Sequence, residues 1–191
     1  MIELPCGYPE NGTIFSQNCL LASIAVGTLY HEAQEEANEK KRRALERTIT
    51  DINSDDKSNQ ISRRNLAGRK ILQRCKDLIA NTENITLQGP HTYKMAEEIA
   101  SKNNIRIIVY KNNRIKNAYP KKFDGSKMQI ALLEKTPSYL HKISTLKHVV
   151  FIRKPKRFFS TNLFQCWICL NYKSRDRNHN KVCLHIELIF R

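Results

Sequence analysis

The hydrophobic rhythm of this chain changes once, at Asn103-Asn104, and that change limits what it can fold into. Before it, apolar residues recur at helical spacing. After it they gather in short runs, Ile105 to Tyr110, Met128 to Leu133 and His148 to Ile152, with the β-branched bias of strands. The order predicts an α+β fold, with helices packed on a small β-sheet. The spacing predicts one long helix over Asn18 to Leu45, apolar through Tyr30 and then acidic before Lys40-Lys41-Arg42-Arg43, a charge order that suits the helix dipole. It predicts a second helix over Arg64 to Ile79, and a third over Thr92 to Lys102 behind the punctuation of Gly89-Pro90. Residues 1 to 17, with Pro5, Gly7, Pro9 and Gly12, read as an irregular N-terminal loop, and Asp51 to Gln60 as a polar one.

A length of 191 residues allows one ordinary domain and a small appendage. The formal net charge of +15 points to a polyanionic partner, with nucleic acid the first choice, through salt-sensitive phosphate contacts. The apolar runs are too short to span a bilayer, so no membrane partner is expected. Met1-Ile2-Glu3-Leu4-Pro5 lacks the basic and apolar regions of a secretory signal, which predicts an intracellular setting, cytoplasmic or nuclear. In that reducing setting, six unevenly spaced cysteines suggest thiolate chemistry or metal binding rather than disulfides.

The tail supplies the metal pattern. Cys166-x2-Cys169-x9-His179-x3-Cys183 presents two thiolates from a tight turn, then an imidazole and a thiolate about one helical turn apart. That is a four-ligand set for structural zinc, and Phe164, Trp167 and Tyr172 offer a miniature core around it. The expected organisation is a globular domain over residues 1–152, a basic linker over 153–160 that holds Arg153-Lys154-Pro155-Lys156-Arg157, and a CCHC zinc finger over 161–185. Lys173, Arg175, Arg177 and Lys181 around the ligands suit phosphate contact, whereas no set of base-reading positions is evident.

The second constellation is a cysteine at a helix start. Ser16-Gln17-Asn18-Cys19-Leu20-Leu21-Ala22 sets a thiol where a polar loop turns into an apolar helix. The positive end of the helix dipole favours the thiolate there, and backbone N–H groups can face a developing oxyanion. Much later, Lys147-His148-Val149-Val150-Phe151-Ile152 carries a histidine on a strand. His141, in the more polar stretch Ser138-Tyr139-Leu140-His141-Lys142, is the rival base. His31 and His91 read as surface or capping residues, and Cys75 as core.

Taken in order, the Cys19 motif, the helix Gly89 to Ala100 feeding the strand Ile105 to Tyr110, Ile130 to Leu133 and the His148 strand resemble the ovarian-tumour (OTU) family of papain-like cysteine proteases. The resemblance implies Cys19 as nucleophile, His148 as general base and a polypeptide or ubiquitin-like substrate, cleaved at a peptide or isopeptide bond. With the cysteine-rich tail included, residues 15 to 183 are similar to the N-terminal region of protein-primed family B DNA polymerases from Polinton/Maverick transposons and bidnavirus-like elements. The exonuclease and palm motifs of such polymerases are not in this sequence, so polymerisation would need another polypeptide.

The sequence also departs from the pattern. Ser16 and Gln17 stand where the family has aspartate and glycine, Val149 where it has an aromatic, and Val150 where it has the Asp or Asn that orients the imidazole. Valine accepts no hydrogen bond; Glu10, Asn11 and Asn18 are the candidates to substitute from the N-terminal loop, and a weakened or inactive enzyme belongs among the expectations. The alternative function is a non-catalytic nucleic-acid-binding accessory module that uses the same fold as scaffold.

Overall fold

The first helix, α1 (Cys19–Glu35), is apolar all round rather than along one stripe, and a helix of that kind has to sit at the centre of a fold. Leu20, Leu21, Ala22, Ile24, Ala25 and Val26 are all buried. The computed structural model of the chain describes residues 7–10, 13–16, 18–51, 61–111, 114–121, 128–135 and 148–151. Expected features outside these, including the basic linker, the four zinc ligands Cys166, Cys169, His179 and Cys183, and His141, lie outside the described residues.

The long helix predicted over Asn18 to Leu45 is in fact two. Glu36 takes an extended ψ of 114°, and a second helix, α2 (Glu39–Asp51), begins three residues later. Asn38 is the reason. Its side-chain Oδ1 accepts from the Lys41 backbone N–H at 3.1 Å, and its carbonyl accepts from that of Arg42 at 2.9 Å. An N-cap therefore interrupts what the charge pattern alone reads as continuous. Helix α3 (Ile61–Ile79) starts three residues before the pattern predicts, and buries Ala67, Ile71, Cys75 and Leu78 against α1. Helix α4 (Tyr93–Lys102) follows the predicted span, with Ala96, Ile99 and Ala100 inward.

The N-terminal segment is more regular than an irregular loop. β1 (Gly7–Glu10) pairs antiparallel with β2 (Thr13–Ser16), and the intervening dipeptide Asn11-Gly12 is a strong hairpin signal that the prolines obscured. The main sheet has four strands, β3 (Ile105–Lys111), β4 (Arg114–Tyr119), β5 (Met128–Lys135) and β6 (His148–Phe151), in the order β4-β3-β5-β6. β3 runs parallel to β5, and the other two pairings are antiparallel. β4 was not evident in the sequence, because Arg114-Ile115-Lys116-Asn117 has little apolar content and its pairing with β3 slips register at Val109/Tyr110.

Ile107, Val109, Ile130 and Leu132 share one core with the helices, while Ile108, Tyr110 and Ala131 form a second buried cluster. The alternation along β3 thus leaves both its faces dry. Gly27 sets how closely α1 approaches the sheet. A Cβ there would lie 2.6 Å from Ile130 Cγ2 and 3.2 Å from the Phe151 ring. Phe151 in turn packs on Tyr30, with ring centroids 5.6 Å apart. His31, expected at the surface, is half-buried and reaches the Gln129 carbonyl from Nε2 at 2.7 Å, tying the end of α1 to the start of β5. The architecture is α+β, with helices on a small mixed sheet.

Candidate active site

Cys19 is the first residue of α1, as the sequence suggests, a buried residue (6% exposed) at the positive end of the helix dipole. Asn18 is the N-cap. Its carbonyl accepts the first intrahelical bond, from the Ala22 N–H at 2.9 Å. Its side chain does something less usual. Asparagine at this position ordinarily caps a backbone N–H of the first turn, yet the Asn18 carboxamide makes no capping bond. It is fully buried, and neither Oδ1 nor Nδ2 has a hydrogen-bond partner among the described residues. Leaving a buried polar group unpaired costs about 1–3 kcal/mol, and a lost cap about 1 kcal/mol more.

A second polar group lies at the C-terminal end of β5. The strand runs Ile130-Ala131-Leu132-Leu133-Glu134, and alternation brings Glu134 to the same side as Ile130 and Leu132, the side that the helices cover. The Glu134 side chain is only 2% exposed. Three donors hold it: the Tyr93 hydroxyl from α4, Lys111 Nζ from β3 at 2.9 Å and Lys116 Nζ from β4 at 2.8 Å. Burial alone would raise the carboxyl pKa, but the bonds from Lys116, Tyr93 and Lys111 outweigh it and bring the group down to about 2. Tyr93 is pushed the opposite way, first by burial, then by its bond to Glu134 and that group's charge, with smaller contributions from Tyr119 and Cys19. It therefore stays a neutral donor. Lys116 also lies 5.2 Å from the Tyr93 ring centroid.

His31 reaches Gln129 and Gly27 rests on Ile130, so the later turns of α1 lie over the start of β5 and its head points toward the end of the sheet that holds Glu134. β6 arrives there as well. Its register pairs His148 with Lys135 and Val149 with Glu134, so the strand begins beside the buried carboxylate. Along β6 the pleat assigns positions 149 and 151 to the α1 side and 148 and 150 to the other. Position 148 is, however, the first residue of the strand, where the described pairing ends. The sequence-predicted pair is thus 129 positions apart in the chain, with Cys19 at the head of α1 and position 148 at the start of β6, on the face away from α1.

Sequence reasoning offered Asn18 only beside Glu10 and Asn11, as a stand-in for the missing imidazole-orienting residue, and missed Glu134 and Tyr93 altogether. The available signal was a single carboxylate closing an apolar strand in inward phase. Cys75 is core, as expected, with its thiol pushed up to about 12 by burial and by Asp77, and so unreactive. His91 reaches the Thr86 carbonyl at 2.8 Å, a tie within the loop between α3 and α4 that caps neither helix. Among the described residues no group of three or more His, Cys, Asp or Glu could hold a metal ion, and no helix is long and apolar enough to cross a membrane. Comparison with family profiles, curated proteins and solved structures gave no match to this chain.

Proposed function

We propose that the chain is a thiol-dependent hydrolase of OTU-like type, in which Cys19 attacks a peptide or isopeptide carbonyl and His148 takes up its proton. The observation that carries the reading is the convergence at one end of the sheet. A thiol at the head of the buried helix α1 and an anionic Glu134 lie toward the end of the sheet at which β6 begins. The helix dipole favours the thiolate and the N-terminal N–H groups of α1 favour an anion, two things that acyl transfer needs. A ubiquitin-like or other polypeptide substrate is part of this proposal, as is an intracellular site of action.

Labelling with ubiquitin vinyl sulfone tests the reading. Labelling is expected in the wild type, is expected to vanish in Cys19→Ala and to slow by orders of magnitude in His148→Ala, while His141→Ala leaves it unchanged. Folded protein that the probe does not label rejects a ubiquitin-directed hydrolase. Slowing by His141→Ala instead moves the base to that residue.

The tail adds a structural role. Three thiolates and an imidazole from Cys166, Cys169, His179 and Cys183 are a donor set suited to tetrahedral zinc, which would supply folding energy and not chemistry. The basic residues around them suit contact with nucleic-acid phosphates.

A further inference from the structure

We infer that the Asn18 carboxamide is an oxyanion donor of the Cys19 site, its Nδ2–H held for the carbonyl oxygen of the acyl group under attack. The inference deepens the thiol-hydrolase reading and rests on it. Asn18 occupies the N-cap of α1 without capping it, which leaves its side chain for another use. The residue is fully buried, and neither of its amide atoms has a hydrogen-bond partner among the described residues. It also directly precedes the nucleophile, at the helix head where backbone N–H groups and the dipole gather positive potential.

A carboxamide has an acceptor end as well, suited to orienting an imidazole. The potential at a helix N-terminus decides between the two ends. It stabilises a developing negative charge and disfavours an imidazolium, so the donor end matches the charge that grows there. In the step itself, the Cys19 sulfur pair forms a bond to the carbonyl carbon while the thiol proton passes to the base. The carbonyl π pair moves onto oxygen, which accepts from Asn18 Nδ2–H. Collapse of that oxyanion restores the carbonyl and breaks the bond to the leaving amine, which takes the proton held by the base, and leaves a thioester for water to hydrolyse. Asn18 and Cys19 are 0% and 6% exposed, so substrate must part the packing over the helix head to reach them.

Turnover of p-nitrophenyl acetate by the full chain, with Asn18→Leu, Asn18→Asp and Cys19→Ala alongside, tests the inference. Leucine matches asparagine in shape and carries no donor, while aspartate keeps an acceptor and loses the donor. Cys19-dependent turnover is expected to fall about 10²–10³-fold in both Asn18 variants. The thermal midpoint of Asn18→Leu is expected to equal or exceed that of the wild type, because two unpartnered buried atoms are gone. Wild-type turnover in Asn18→Asp makes the residue an acceptor and overturns the inference, as does a lowered midpoint in Asn18→Leu, which means the amide is bonded. Cys19-dependent turnover indifferent to Asn18→Leu overturns the Asn18 role alone. Turnover that survives Cys19→Ala, or none in the wild type, brings down the hydrolase reading and this role together.

Discussion

Glu134 keeps a negative charge in a place that water hardly reaches, and it does so because two lysines and a tyrosine replace the lost hydration. The consequence for stability has a definite sign. Its pKa in the folded protein is about 2, below the ordinary 4.5. The contribution is therefore fully present above about pH 4.5 and is lost as pH falls towards 2. Thermal midpoints measured from pH 6 down to pH 2 should fall steeply over the last part of that range, and Glu134→Gln should flatten the slope while costing about 1–3 kcal/mol near neutrality. An unchanged slope in the variant would assign the acid sensitivity to other carboxylates. The sequence hid this residue for a physical reason. Its donors come from α4, β3 and β4, far apart in the chain, and only the fold brings them to one carboxylate. Cys19 was legible because its cause is local: a polar loop, a thiol and an apolar helix in immediate succession.

Among the elements, α1 was legible in its first half and misread in its second. Continuous apolar sequence marks a buried helix whatever surrounds it, but the end at Glu35 depends on Asn38 capping the next helix, a short-range bond inside a run of good helix formers. β3 and β5 announced themselves by β-branched and apolar content, whereas β4 owes its existence to the partner beside it. The contact between α1 and the sheet can be tested at Gly27. Alanine there gains about 1 kcal/mol of helix propensity but forces a methyl against Ile130, an overpacking cost of about 1–3 kcal/mol. Chemical denaturation of Gly27→Ala should thus show a net loss of up to about 2 kcal/mol. Against an Ile130→Ala background, which removes both contacting Cγ atoms, Gly27→Ala should cost less than it does alone; a stabilised single variant would mean that α1 sits further from β5 than the 2.6 Å clearance implies.

At the level of the whole molecule, the proposed zinc module and the helix–sheet unit make separable demands. Metal analysis of purified protein should find one zinc per chain, lost on prolonged chelation and on Cys166→Ser, while the thermal transition of the helix–sheet unit persists. Protein without zinc, or a helix–sheet unit that unfolds with chelation, would contradict that division. The net charge of +15 was readable at once, yet composition carries no position, and so it names a class of partner without a surface. One feature of the core also bears on how the chain is made. Gly27 near the beginning rests on Phe151, which the ribosome adds more than a hundred residues later. Until that aromatic emerges, the most apolar helix of the protein has an open flank. During synthesis the nascent chain must wait with its greasiest segment partly uncovered, which makes it a client for chaperones and makes any product that stops short of β6 prone to clump.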